Sequence, residues 1–170
     1  GIVEKIISFL FLVPSSMLST VSALGAHNIG AGKKKRAEQT MWCAVMIAVG
    51  FGLIVAVTMQ FISVPVVSLF TTDSEVARLG GQYNRGYIWD CIFAGIHFTF
   101  SGYFCACGRS EFSFLHNIIA IVLVRIPGVY LTSLWFPDTL FPMGIATACG
   151  SLTSVVICLF VFQYLKRKAS

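Results

Sequence analysis

The chain has few charged residues. Only 11% of its 170 residues are Asp, Glu, Lys or Arg, whereas soluble domains carry about 25%. Acidic residues number 7, against 12 Lys and Arg. Hydrophobic residues make up 56% of the chain, and the mean hydropathy is +0.83. This composition excludes an ordinary soluble domain and predicts an integral membrane protein.

The chain also lacks motifs for enzymatic chemistry. Residues 27–34 (HNIGAGKK) depart from the phosphate-binding P-loop, because His27 stands where the first glycine belongs and Lys34 replaces Ser or Thr. No nucleophile, base and orienting group cluster outside the apolar blocks. We therefore predict that the protein is not an enzyme and that any energy for its work comes from an ion gradient.

Disulfides and a metal site are not expected. The six cysteines lie inside or at the ends of apolar blocks, where aqueous disulfide frameworks do not form. They are Cys43, Cys91, Cys105, Cys107, Cys149 and Cys158. Cys105 and Cys107 lack metal-ligand spacing and a nearby His or carboxylate in the sequence. We interpret all six as small residues that pack helices, and we predict no metal and no organic cofactor.

Apolar blocks long enough to span a bilayer recur along the whole chain. They cover residues 6–28, 40–64, 82–107, 113–135 and 141–165. A short outer surface helix is predicted at about 73–80, with Thr72 as its N-cap and Gly80 and Gly81 at its end. Pro14 predicts a kink in the first span, and Pro65 predicts the end of the second. The sequence thus predicts an all-α integral membrane fold, a five-span helical bundle forming one unit over residues 1–170.

Three cationic segments give this bundle an orientation. They are Lys33 to Arg36, Arg109 after the third span, and Lys166 to Lys168 at the chain end. Short loops rich in Lys and Arg stay on the cytoplasmic side. We therefore predict a multi-pass protein of the inner (plasma) membrane with a cytoplasmic C-terminus. The net charge of +5 then orients the chain and does not indicate a nucleic-acid partner.

The first cationic loop, residues 24–39, reads LGAHNIGAGKKKRAEQ. It resembles the loop between the second and third helices of each half of multidrug and toxic compound extrusion (MATE) transporters. The matching residues are Ala26, His27, Asn28, Gly30, Ala31, Gly32, Lys33, Arg36 and Ala37. Three further stretches resemble the same family: residues 69–80 (LFTTDSEVARLG), the turn from Ser101-Gly102 to Gly108-Arg109-Ser110, and the Arg-x-Pro of Arg125 and Pro127.

The resemblance implies the C-terminal lobe of a twelve-helix MATE-type transporter, its last five spans, with a missing N-terminal lobe as its partner in the bilayer. It further implies a secondary active antiporter that exports amphipathic organic cations in exchange for H+ or Na+. Since the chain opens with Gly1, we expect a fragment of a longer protein. A lipid-linked saccharide flippase of the same superfamily and a non-transporting membrane scaffold remain alternatives.

Two charged residues are the main candidates for ion or substrate binding. Asp90 is the only acidic residue clearly inside a span, where a charge is costly and is a functional candidate by default. The alternative is an interfacial Asp bonded to Tyr87 or to the short outer helix, and the resemblance places the family's acidic position at Ala94, one helical turn away. Arg125 either reaches toward Asp90 or bonds to carbonyls freed by Pro127 and to polar groups on other helices.

Weaker candidates complete the predicted site. His97 could take part in a proton relay, whereas a lone His in a helix is more often a packing residue, as we expect for His116. Asn117 and Gln60 are candidates for polar lining. The Phe and Tyr side chains of the third span could form an aromatic wall for lipophilic cations, although most Phe in a membrane chain face lipid.

Overall fold

The computed structural model describes residues 2–169, nearly all of them helical. The first predicted span forms two helices, α1 (Ile2–Leu10) and α2 (Leu12–Gly30), with a turn at Phe11. Pro14 has no N–H to donate to the carbonyl four residues before it, and its ring crowds that carbonyl, which favours an interruption of the helix here. The chain therefore departs from a straight helix within one turn of the position that Pro14 predicts.

The second span is longer than predicted. α3 runs Lys34–Ser68, so it begins inside the cationic loop and continues past Pro65. A proline in the last turn removes only the hydrogen bond to the carbonyl of Phe61. Beyond it, the Ser68 hydroxyl donates to the carbonyl of Pro65 at 2.7 Å. The prediction that Pro65 ends this helix is wrong by one turn.

The outer helix α4 (Ser74–Tyr87) has a different N-cap from the one predicted. Asp73, and not Thr72, caps it, because the Asp73 Oδ1 accepts two N–H groups of the first turn at 2.9 and 3.3 Å. A carboxylate at this position also faces the positive end of the helix dipole. Glu75 lies in the first turn and accepts a hydrogen bond from the guanidinium of Arg78, three residues later. This bond lowers the pKa of the Glu75 carboxyl.

α4 continues beyond Gly80 and Gly81, where the sequence predicted its end. A Cβ added at Gly81 would lie 2.5 Å from Cγ2 of Val64 in α3. The glycines therefore allow close helix packing and do not cap the helix. A two-residue turn follows α4, and α5 (Asp90–Ala106) begins after it. The third predicted span is thus divided into two helices.

The remaining elements are α6 (Ser110–Ala120), a π-helical turn (Ile121–Arg125), α7 (Ile126–Trp135) and α8 (Phe141–Ala169). In the π-helical turn, the N–H of Ile126 donates to the carbonyl of Ile121, five residues back. Pro127 cannot donate, and its ring would clash with the preceding turn of an α-helix. The wider turn accommodates the proline, and Arg125 is the last residue of this turn.

α5 is the central helix of the bundle and packs against α2, α3, α6 and α8. Small residues make the closest of these contacts. A Cβ at Gly102 would lie 2.5 Å from the carbonyl oxygen of Leu18 in α2, and one at Gly95 would lie 2.9 Å from Cβ of Ala48 in α3. Because α5 is enclosed on several sides, it fixes the positions of the polar side chains that it carries.

Two similar turns close helices at one end of the bundle. Gly32 after α2 and Gly108 after α5 have φ angles of +72° and +70°. In each turn, the N–H of the next residue donates to the carbonyl five residues back, at 2.8 and 2.9 Å. Lys166 of α8 lies 3.5 Å from Glu38 of α3 at the same end. The three cationic segments therefore share one end of the bundle.

Four helical stretches of the described chain are long and apolar enough to cross a membrane. They are Ile2–Gly30, Lys34–Ser68, Ser110–Trp135 and Phe141–Lys168. These correspond to four of the five predicted spans. Residues 82–107 are not among them, because the break before Asp90 leaves α5 with 17 residues, short of the roughly 20 that a bilayer requires. The described chain is therefore an all-helical membrane protein with four such stretches.

Candidate functional site

Asp90 is the first residue of α5, and its side chain is only 1% exposed. The helix break thus places the carboxylate at a helix N-terminus, where the helix dipole favours negative charge. The break lies where α4 crosses α8 at close range. A Cβ at Gly144 of α8 would lie 2.6 Å from the backbone nitrogen of Tyr87. This crossing brings the start of α5 against the polar face of α8.

Arg125 reaches Asp90 from the π-helical turn. Its Nη2 lies 3.5 Å from Oδ2 of Asp90 and donates to Oγ of Ser151 at 3.0 Å. Gly150 makes room for the arginine, because a Cβ there would lie 3.2 Å from Cβ of Arg125. Of the two roles predicted for Arg125, the structure therefore combines contact with Asp90 and a hydrogen bond to a polar residue on another helix.

The Asp90 carboxylate is incompletely satisfied. The hydroxyls of Tyr87 and Ser151 lie near enough to interact with the carboxylate, as the alternative with Tyr87 predicted. By distance and angle, however, its Oδ1 accepts no hydrogen bond from the described residues. The 3.5 Å separation from Arg125 is also long for a charge-assisted hydrogen bond, which is usually about 2.7 to 2.9 Å. A carboxylate with an unused oxygen inside a membrane bundle can take up a proton or bind a cation.

A cavity of about 350 Å³ lies beside the pair. Its lining includes Tyr83 and Tyr87 of α4, Arg125, Thr147 of α8 and Glu4 of α1. The Arg125 side chain is 34% exposed, whereas Asp90 is closed off behind it. The accessible charges at this cavity are therefore the Arg125 guanidinium and the exposed Glu4 carboxylate, and Asp90 is reached past the arginine.

His97 and His116 lie one behind the other in the bundle, with ring centroids 5.6 Å apart. His116 is fully buried and links three helices: Nε2 pairs with Oγ of Ser101 in α5 at 2.8 Å, and Nδ1 pairs with Oγ of Ser154 in α8 at 3.2 Å. His97 is also buried, and its Nδ1 has no hydrogen-bond partner among the described residues. Of the two histidines, His116 is the one held at both nitrogens.

The other predicted site residues lie elsewhere. Gln60 donates to the carbonyl of Arg85 at 3.1 Å and so joins α3 to α4. Asn117 is exposed on α6, although its neighbour His116 points inward. The structure therefore brings together Asp90 and Arg125, and places Gln60 and Asn117 outside that group.

The cationic loop motif lies at the far end of the bundle from α4. It covers the end of α2, the loop that follows and the first helical turn of α3. The motif residues are Asn28, Gly30, Gly32, Lys33 and Arg36. The Asn28 side chain donates to the carbonyl of Leu24 at 2.8 Å. The motif therefore shapes a turn, with Gly32 at its left-handed position.

Sequence reasoning missed the polar face of α8. Thr147, Ser151 and Ser154 are buried, and they follow Gly144 at steps of three and four residues. That spacing places all four on one side of a helix, so the pattern was available in the sequence. These four residues carry no charge, and charge was the property by which the main candidate residues were selected. Among the described residues, no group of three or more His, Cys, Asp or Glu comes together that could hold a metal ion.

Comparison with known proteins gives consistent matches. The model of the MatE family matches residues 1–131. The chain is 27% identical over 165 residues to the FAD transporter of Shewanella oneidensis, covering 96% of this chain and 36% of the relative. It is 22% identical to the probable multidrug resistance protein NorM of Halalkalibacterium halodurans, covering 95% and 35% of the two chains. It is 24% identical to the human multidrug and toxin extrusion protein 1, covering 99% and 30%.

The chain thus spans about a third of the length of these relatives. No solved structure matches it.

Proposed function

Because the chain belongs to the MatE family, we propose that it forms the C-terminal lobe of a secondary active multidrug efflux antiporter. The full transporter would export amphipathic organic cations in exchange for H+ or Na+, and a second lobe would complete it. Two relatives bear multidrug extrusion or resistance names, and the chain spans about a third of their length. The names support a transporter rather than an enzyme, and the covered share supports one lobe of a longer protein.

The proposed topology has five crossings, with α5 and the end of α4 forming the third. α5 is the central and most enclosed helix, so protein rather than lipid surrounds much of its break. The end with the cationic segments would face the cytoplasm of the inner membrane, as short basic loops do. The chain's C-terminus would then be cytoplasmic.

One observation carries this proposal: a buried carboxylate with an unused oxygen lies next to a partly exposed guanidinium. In the ionised state, Asp90 pairs with Arg125 and can attract a cation. When Asp90 takes up a proton, its attraction for both groups falls, so the cation is released and the arginine is free to move. Coupling of this kind lets one ion compete with an organic cation while two lobes alternate their access.

The experiment compares Asp90→Asn with Asp73→Asn in efflux of a cationic dye by energised cells. Asn keeps the shape of Asp at both positions, and at residue 73 it is an equally good N-cap. We expect Asp90→Asn to reduce efflux at least tenfold at unchanged expression, and Asp73→Asn to behave as the natural protein. Efflux unchanged by Asp90→Asn would demote Asp90 to a structural role.

A second candidate substrate class is a phosphate-bearing anion. Arg125 brings a positive charge to the cavity surface, where Glu4 is the other exposed charge, and one relative is named an FAD transporter. A guanidinium suits phosphate because it can donate two parallel hydrogen bonds. Measuring FAD release alongside dye efflux separates the two candidates: Arg125→Lys would lower anion export, whereas Asp90→Asn would lower cation export.

A further inference from the structure

A second cavity, remote from Asp90, lies at the end of the bundle that carries the cationic segments. It has a volume of about 510 Å³ and lies among the ends of α2, α3, α5 and α8. Four cations line it, from three separate segments of the chain: Lys34, Arg109, Lys166 and Lys168. We call this cavity the basic basin. Glu38 is the only acidic residue in its lining as described.

The positive charge of the basic basin is not neutralised within the described chain. Glu38 pairs with Lys166 at 3.5 Å, and Arg109 pairs with Glu111 at 3.1 Å. Lys34 and Lys168 have no ion pair among the described residues. Within the part of the chain that the structure describes, two cations therefore converge on one space without an anionic partner, although like charges in proximity repel each other.

The wall of the basic basin is apolar and aromatic. Tyr103, Phe162 and Leu165 contribute to it, and the Lys166 ammonium lies 5.9 Å from the centroid of the Phe162 ring. Trp42 packs edge-on against Phe162, and 44% of Trp42 is exposed on the side of the bundle that faces away from its core. Exposed Trp side chains favour the membrane–water interface. The ligand that matches such a wall carries an anionic group and a long apolar part together.

We propose that the basic basin binds the phosphate of an anionic phospholipid, with Lys34 and Lys168 as its main ligands. The acyl chains would lie along the exposed side of Trp42. Basic pockets between transmembrane helices on the cytoplasmic side bind anionic headgroups in this way. A free phosphate would use the cations but leave the apolar wall uncovered, so the lipid is the better match.

The test uses the protein at the full length that its gene encodes, in nanodiscs of phosphatidylcholine containing phosphatidylglycerol. Retained phosphatidylglycerol is measured by native mass spectrometry for Lys34→Gln/Lys168→Gln and for the control Lys33→Gln/Lys35→Gln. Both double variants remove two positive charges, but Lys33 and Lys35 do not line the basic basin. We expect about 30-fold weaker binding for the first variant and binding within twofold of the natural protein for the control.

Three outcomes would overturn the proposal. Equal losses in the two double variants would mean that the lipid responds to overall charge and not to this cavity. Stabilisation of the detergent-purified protein by inorganic phosphate as strong as that by phosphatidylglycerol would assign the site to a soluble anion. Retention of neither ligand by the natural protein would mean that another protein segment covers the cavity.

Discussion

Arg125 and Asp90 are 35 residues apart in the sequence, and Nη2 of the arginine lies 3.5 Å from Oδ2 of the aspartate. The contact joins two interruptions of regular helix: Arg125 ends a π-helical turn, and Asp90 begins a helix after a break. Ser151 of α8 completes the group through its hydrogen bond to the arginine. The aspartate is buried, whereas the arginine is partly exposed. Replacing each residue alone should therefore lower the free energy of unfolding by a different amount.

A double-mutant cycle tests whether the two charges are coupled. Arg125→Met leaves the buried carboxylate without its cation, which should lower the free energy of unfolding by about 1 to 3 kcal/mol. Adding Asp90→Asn removes that unpaired charge, so the double variant should be less destabilised than the sum of the single ones, by about 0.5 kcal/mol or more. Thermal unfolding of the purified protein in detergent measures each step.

The control for this cycle is Arg78→Gln, which removes an arginine from an exposed pair with Glu75. Exposed pairs contribute little, so stability should change by no more than about 0.5 kcal/mol. Strict additivity of Arg125→Met and Asp90→Asn would mean that the two side chains do not interact in the folded protein.

His116 should be a stabilising link between helices. His116→Leu leaves the hydroxyls of Ser101 and Ser154 without their ring partner, at a cost of about 2 kcal/mol. His116→Gln keeps a polar group at each end of the side chain and should lose less. The control His27→Leu changes an exposed histidine and should have little effect. Thermal unfolding of the three purified variants measures their stability. Equal melting temperatures of His116→Leu and His27→Leu would contradict the role of His116 as a stabilising link.

The close crossing of α4 and α8 gives a steric prediction. Gly144→Ala would place a methyl group 2.6 Å from backbone atoms of Tyr83 and Tyr87, so the helices must separate at a cost of about 1 to 3 kcal/mol. Because this crossing positions Asp90, the variant should lower transport as well as the melting temperature. Gly50→Ala is the matched control, since a Cβ there meets nothing within 4 Å, and it should be neutral or slightly stabilising. Comparable melting temperatures for the two variants would rule out a tight crossing.

The sequence predicted the helical spans well where long apolar runs were enough to define them. Four of the five predicted spans correspond to helical stretches long and apolar enough to cross a membrane. The interruptions were harder to predict, because each depends on packing as well as on residue type. Pro65 and Pro127 are both prolines in apolar runs, yet α3 continues past Pro65 while Pro127 follows a π-helical turn.

The candidate site was predicted only in its charged members. Asp90 and Arg125 were identified because charge is rare in apolar spans, but their contact depends on a helix break and a wide turn that no local pattern specifies. Ser151 and Ser154 carry no charge and were missed, although their spacing on α8 was visible. Gln60 and Asn117 were selected for polarity alone, and the structure places neither of them beside Asp90.

The ion pair between Lys166 and Glu38 leads to a prediction about sidedness. Since their charged atoms lie 3.5 Å apart, the end of α8 and the start of α3 must lie in one compartment. In a variant whose native cysteines are replaced by alanine, we introduce Lys34→Cys, Lys166→Cys or Thr72→Cys, the last on the exposed connection before α4. A membrane-impermeant maleimide should label position 72 in intact cells and positions 34 and 166 only after permeabilisation, because basic ends stay cytoplasmic. Labelling of positions 34 and 166 from opposite sides would contradict the bundle itself, whereas the reverse pattern at all three positions would overturn only its proposed orientation.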